Sequence, residues 1–158
     1  MSFKKKIILG VDPGVADTGF GVIEEKLGKL ICHDYGSIKT KAKLDFPQRL
    51  KIIYQELNKI IDKYQPQIIS IEKLFFCKNI KTAIDVAQAR GIVLLTAIQH
   101  NLVIKEFTPL QIKQAVTTHG QADKKQIQKM VKLILNLKNI PNQDDAADAL
   151  AAAICGSN

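Results

Sequence analysis

The sequence predicts an α/β fold: a mixed five-stranded sheet, three antiparallel strands followed by parallel ones, flanked by helices. Three observations carry this. Residues 6 to 38 hold three apolar stretches parted by turn residues, without a helical period. Beyond them, apolar strands alternate with segments whose apolar residues recur every three or four positions. The 158 residues, 46% of them hydrophobic, suit one packed core, so residues 1–158 are read as a single domain.

Ile7 to Val11 is a short continuous apolar run stopped by Asp12-Pro13-Gly14, the pattern of a buried strand feeding a turn. Asp12 is therefore expected at a strand end. Gly19 to Ile23 and Leu30 to Ile38 are the next strands, and the charged, glycine-containing stretch between them suits a hairpin. Phe46-Pro47 opens an amphipathic helix, with Leu50, Ile53, Tyr54, Leu57, Ile60, Ile61 and Tyr64 on one face and Pro66 beyond its end. Ile68 to Ile71 predicts a fourth strand that delivers Glu72 to its C-terminal end. Residues 79 to 100 read as a helix containing Gly91, and Leu102 to Phe107 as the last strand, closed by Thr108-Pro109. Lys124 to Leu137 is a periodic basic helix, and Asp144 to Ile154 a helix of small residues.

With 23 Lys plus Arg against 15 Asp plus Glu, the net charge is +8, which favours a polyanionic partner, nucleic acid first. Three cysteines without CxxC spacing indicate neither a disulfide framework nor a zinc site, and a reducing compartment is expected. The apolar run after the basic N-terminus is too short for a signal peptide or a membrane span. A soluble, cytoplasmic protein with no membrane partner is the expectation.

Within this basic chain the acids Asp12, Glu72 and the cluster Asp144-Asp145-Ala-Ala-Asp148 stand out. Asp before Pro-Gly also suits a plain turn, and acids at a helix start also suit the helix dipole. Glu72 at the end of a buried strand needs partners or an ion, and Asp148 lies a turn inside its helix among alanines. Asp145 and Asp148 are three apart, Asp144 and Asp148 four apart, so spacing alone leaves Asp144 and Asp145 in competition. Converging carboxylates repel unless their pKa values rise or cations bind, and hard oxygen ligands without His or Cys select Mg²⁺ or Mn²⁺. Two such ions would neutralise four carboxylates and let a phosphodiester enter, the setting for two-metal, in-line phosphoryl transfer.

The segments Ile8-Leu-Gly-Val-Asp-Pro-Gly14, Thr18-Gly-Phe-Gly-Val22, Ile71-Glu-Lys-Leu-Phe-Phe76, Gln88-Ala-Arg-Gly91 and Asp145-Ala-Ala-Asp-Ala-Leu150 together resemble the RuvC family of Holliday junction resolvases, from Lys6 to about Cys155. The resemblance implies an RNase H-like nuclease fold and a homodimer. It also implies Mg²⁺-dependent, symmetric nicking of two opposed strands of four-way junction DNA in recombination and repair, with 5′-phosphate and 3′-hydroxyl ends, alongside the RuvA and RuvB branch-migration machinery. Position by position, it puts the catalytic, metal-holding carboxylates on Asp12, Glu72, Asp145 and Asp148, with two Mg²⁺ per site and Mn²⁺ as a substitute. That choice decides against Asp144. Some family members carry His where this chain has Asp145, so an all-acidic site is expected here.

Phe75 and Phe76 follow Glu72; burial is the default for Phe, but one exposed ring could stack on an unpaired base, and the resemblance favours Phe75 for that DNA contact. Residues 105 to 138 hold seven lysines against two acids. Lys129 and Lys132 read as a solvated helix face. Lys113 and Lys124 resemble the family's basic residues near the active site, placed to bind DNA phosphates, with Lys124 also in a catalytic role that offsets transition-state charge. By the same resemblance the Gln88 to Gly91 helix lies near the dimer interface. His119 reads as a solvated connector residue, and Cys77 as a small hydrophobe. Three other functions compete. The Asp-Pro-Gly and Thr-Gly pair also resembles the phosphate loop of actin-like kinases, which need two such domains where this chain has one. A nuclease of the same fold could cut RNA–DNA hybrids, and a non-catalytic protein could bind junctions with purely structural acids.

Overall fold

The computed structural model describes residues 5–74 and 79–158. In chain order the elements are β1 (Lys6–Asp12), β2 (Asp17–Lys26), β3 (Lys29–Lys39), α1 (Phe46–Tyr64), β4 (Ile68–Glu72), α2 (Ile80–Gln99), β5 (Val103–Phe107), α3 (Pro109–Thr117), α4 (Lys124–Ile134) and α5 (Asp144–Ser157). The sheet runs β3-β2-β1-β4-β5. β1–β2 and β2–β3 are antiparallel, whereas β1–β4 and β4–β5 are parallel, the mixed α/β sheet that the sequence predicts. The β2–β3 hairpin turns through Leu27 and Gly28, both with positive φ (56° and 75°), which matches the right-handed twist of the strands it joins.

Alternation along the strands divides the core in two. On β1, Ile7, Leu9 and Val11 pack with Ile53, Leu57 and Ile61 of α1 and with Ala89 and Val93 of α2. Ile8 faces the other way, into a cluster with Ile112 of α3, Val131 of α4 and Leu150 of α5. Gly10 and Asp12 share the face of Ile8. On β4, Ile68 belongs to the α5 side as well, so Ser70 and Glu72 share that face. Two strand-end acids are thereby turned toward one helix.

The structure departs from the sequence reading at several boundaries. Strands β2 and β3 are longer than predicted because their pairing continues from Asp17 opposite Lys39 to Lys26 opposite Lys29. Thr108-Pro109 does not merely close β5; it starts α3. The Thr108 hydroxyl accepts from the Gln111 amide, the Gln111 side chain returns to the Thr108 N–H, and Pro109 occupies the first turn, a capping box with proline at the helix start. Helix α4 stops at Ile134, three residues short of the predicted end, where Leu135 caps it and Asn136 turns to φ 50°. Helix α5 runs on to Ser157. Among the described residues, no helix is long and apolar enough to cross a membrane.

Candidate active site

One carboxylate oxygen from each of Asp12, Asp145 and Asp148 lies within 4.8 Å of the others. This approach depends on how closely α5 lies on the sheet. At Gly10 an added methyl would sit 1.9 Å from the Ala149 carbonyl oxygen, and at Gly19 one would sit 2.0 Å from that of Asp145. Only glycine lets the helix backbone come this near, and the alanines of α5 complete the contact. The Ser70 hydroxyl of β4 donates to the Ala152 carbonyl. Lys6 and Lys105 donate to the carbonyls of Ser157 (2.8 Å) and Gly156 (3.0 Å), placing cations at the negative end of the helix dipole. On the opposite side, the Thr18 hydroxyl donates to the Gly14 carbonyl and holds the turn that follows Asp12.

Close packing of acids raises their proton affinity. Burial, then the charges of Asp148 and Asp145, a hydrogen bond with Asp145 and the charge of Glu72 push Asp12 up to about 8. Glu72 is raised by burial and by Asp148, with Lys113 opposing, and Asp148 is raised by burial, with Lys124 opposing. Glu72 lies outside the tight trio but lines the same cleft of about 130 Å³, together with Asp12, Asp148 and Lys113. Three carboxylates, Asp12, Glu72 and Asp148, thus line one recess, and Asp145 lies within 4.8 Å of two of them. Carboxylate oxygens held this close, one keeping its proton to about pH 8, fit a hard divalent cation that would displace that proton.

The helical pitch separates the two neighbouring aspartates that spacing left in competition. Asp145 turns toward Asp12, whereas Asp144 faces α4, where its Oδ2 lies 3.0 Å from Lys124 Nζ and its Oδ1 accepts from Gln128 Nε2 at 3.0 Å. Lys124 is exposed on the first turn of α4, close enough for its charge to be felt by Asp148. Lys113, on the unpredicted helix α3, lines the cleft wall. Phe75, Phe76 and Cys77 lie outside the described residues. His119 is exposed on the α3–α4 connection.

Sequence reasoning missed the buried Arg90 of the Gln88 to Gly91 segment, which bonds Glu106 on β5 while Arg90 also borders a second recess beside Glu72. A charged residue amid buried apolar helix positions was the available signal, since it needs a partner.

The family model described as Crossover junction endodeoxyribonuclease RuvC matches residues 8–156. The chain is 55% identical over 152 residues to the crossover junction endodeoxyribonuclease RuvC of Halothermothrix orenii, a match that spans 96% of this chain and 92% of that one. It is 56% identical over 151 residues to that of Caldicellulosiruptor saccharolyticus, covering 94% and 90%. Among solved structures, Thermus thermophilus RuvC in complex with a Holliday junction substrate superposes with a TM-score of 0.92 at 30% identity, over 96% of this chain and 93% of that one. The yeast mitochondrial Holliday junction resolvase Ydc2 has a TM-score of 0.66 at 17% identity, over 94% and 76%, a likeness of fold.

Proposed function

The chain belongs to the RuvC family of crossover junction endodeoxyribonucleases, and from that premise we propose that it resolves Holliday junctions by metal-dependent hydrolysis of one phosphodiester in each of two opposed strands. The observation that carries this reading is the carboxylate trio Asp12, Asp145 and Asp148, drawn from opposite ends of a basic chain to within 4.8 Å. Together with Glu72 these residues would hold two Mg²⁺, with Mn²⁺ able to substitute. Bound cations there supply neutralisation of the cleft, activation of water and stabilisation of the leaving oxygen during in-line displacement.

The remaining work falls to the chain itself. Asp12 and Glu72, rooted in adjacent strands, and Asp145 and Asp148, rooted in α5, form a rigid set whose spacing is held by the sheet–helix contact rather than by a loop. Lys113 on the cleft wall draws in the phosphate of the strand to be cut, and Lys124 offsets negative charge as it builds on the phosphoryl oxygens. Water adds to phosphorus and the 3′ oxygen leaves with a proton, giving a 5′-phosphate and a 3′-hydroxyl. Phe75 is assigned the stacking contact with an unpaired base at the exchange point.

Residues 1–158 act as one nuclease domain with one cleft, so two matched cuts call for a homodimer. A cytoplasmic protein working with the RuvA and RuvB branch-migration machinery completes the proposal. Incubation with a four-way junction and, separately, an RNA–DNA hybrid in Mg²⁺ tests it: the junction should be nicked and the hybrid spared. Hybrid cleavage alone would identify a nuclease of the same fold with another substrate.

A further inference from the structure

We infer that Asp144 is a positioning residue, which clamps the start of α4 to the start of α5 and so keeps the Lys124 ammonium beside the carboxylate cluster. The inference rests on the role assigned to Lys124 above. An aspartate on the first turn of a helix is ordinarily explained by the helix dipole, which asks for no particular partner. Asp144 has two, one on each oxygen: Lys124 Nζ at 3.0 Å and Gln128 Nε2 at 3.0 Å. Those residues are four apart and share one face of α4, so a single carboxylate grips two successive turns of the helix.

The grip falls on the exposed end of α4, one turn before Ile127 packs against the core. Val131 is the buried residue of α4, two turns away, and residues 123 to 126 are exposed. The Asp123–Gln126 capping box fixes the backbone at this point but leaves the four-carbon stem of Lys124 free to swing. Asp144 limits that swing, and its sequence neighbour Asp145 belongs to the carboxylate trio, so the ammonium is restrained at the rim of the site. Because the pair is more than half exposed, it adds little to folding stability, and losing it should register in turnover instead.

The test compares D144A, D144E, K124A and the D144A/K124A double variant. Three quantities are measured: single-turnover cleavage of a four-way junction in Mg²⁺, junction affinity without divalent cations, and melting temperature. D144A should cut roughly 3- to 10-fold more slowly, as expected for a misplaced catalytic group, with affinity changed by less than about 2-fold. K124A should be slower by about 10²-fold, the double variant should match K124A alone, and D144E should recover most of the rate. Wild-type speed in D144A alongside a slow K124A overturns the inference while leaving the role of Lys124 intact. An equal loss from D144A with and without Lys124 also overturns it, because Asp144 would then act through the carboxylates. K124A cutting at full speed removes both roles, and a wild-type protein that cuts no junction contradicts the proposed function itself.

Discussion

Replacing Asp12 by Asn should abolish cleavage and at the same time stabilise the metal-free protein at pH 8. The substitution keeps the side-chain shape and removes one charge from a cleft that already holds Glu72, Asp145 and Asp148 nearby. In the folded protein Asp12 titrates at about 8, against 3.8 for the free side chain, because burial and the neighbouring carboxylates disfavour its anion. The folded state therefore binds more protons than the unfolded state between those two values, and stability falls as pH rises from about 4 to 8. At ~1.4 kcal/mol per unit, the ceiling on that loss is about 6 kcal/mol. Water in the cleft and adjustment by the coupled acids reduce it, and a gain of about 2 kcal/mol for D12N corresponds to a rise of roughly 4–8 °C in melting temperature for a chain of this size. The assay is thermal unfolding in EDTA from pH 5 to 8.5, repeated across a Mg²⁺ titration. The advantage of D12N should shrink steadily toward low pH, and Mg²⁺ should raise the wild-type midpoint far more than that of D12N. A lower midpoint for D12N at pH 8 in EDTA, or equal Mg²⁺ shifts in both proteins, would refute the reasoning.

Three further perturbations probe separate parts of the site. Glu72→Gln should remove Mg²⁺-dependent nicking by about 10²-fold or more with an unchanged circular dichroism spectrum, and retained nicking would take Glu72 out of the site. Gly19→Ala puts a methyl 2.0 Å from the Asp145 carbonyl oxygen, so α5 must shift; we expect a loss of about 1–3 kcal/mol in denaturant unfolding and a larger loss of cleavage than of junction binding. Lys113→Ala should weaken binding of all junction sequences alike and lower the slope of log affinity against log salt by about 1, read by titration at several salt concentrations.

The acids were legible because short apolar strands ending in a carboxylate are unusual enough to be noticed, as at Asp12 and Glu72. Their common direction was not legible. β1 and β4 are buried on both faces, so their sequences carry no alternation of polar and apolar residues, and only the packing of Ile8 and Ile68 against the α5 side reveals which way Asp12 and Glu72 point. Spacing left Asp144 and Asp145 equal, and the rotation of α5, set by its close contact with Gly10 and Gly19, separates them. Helix α3 was hidden by its own start signal, since Thr-Pro after a strand reads as a stop until Gln111 is recognised as the far corner of a capping box. The Arg90–Glu106 pair joins residues 16 apart, a contact that no local pattern encodes.

The central claim is that one carboxylate cleft per chain cuts two opposed strands of a four-way junction. The most direct measurement is incubation of the protein with a synthetic junction in Mg²⁺, with mapping of the nicks on all four strands. Paired nicks at symmetric positions, leaving 5′-phosphate ends that ligase can reseal without gap filling, are the predicted result. Unpaired nicks, ends that resist ligation, or an intact junction would contradict it.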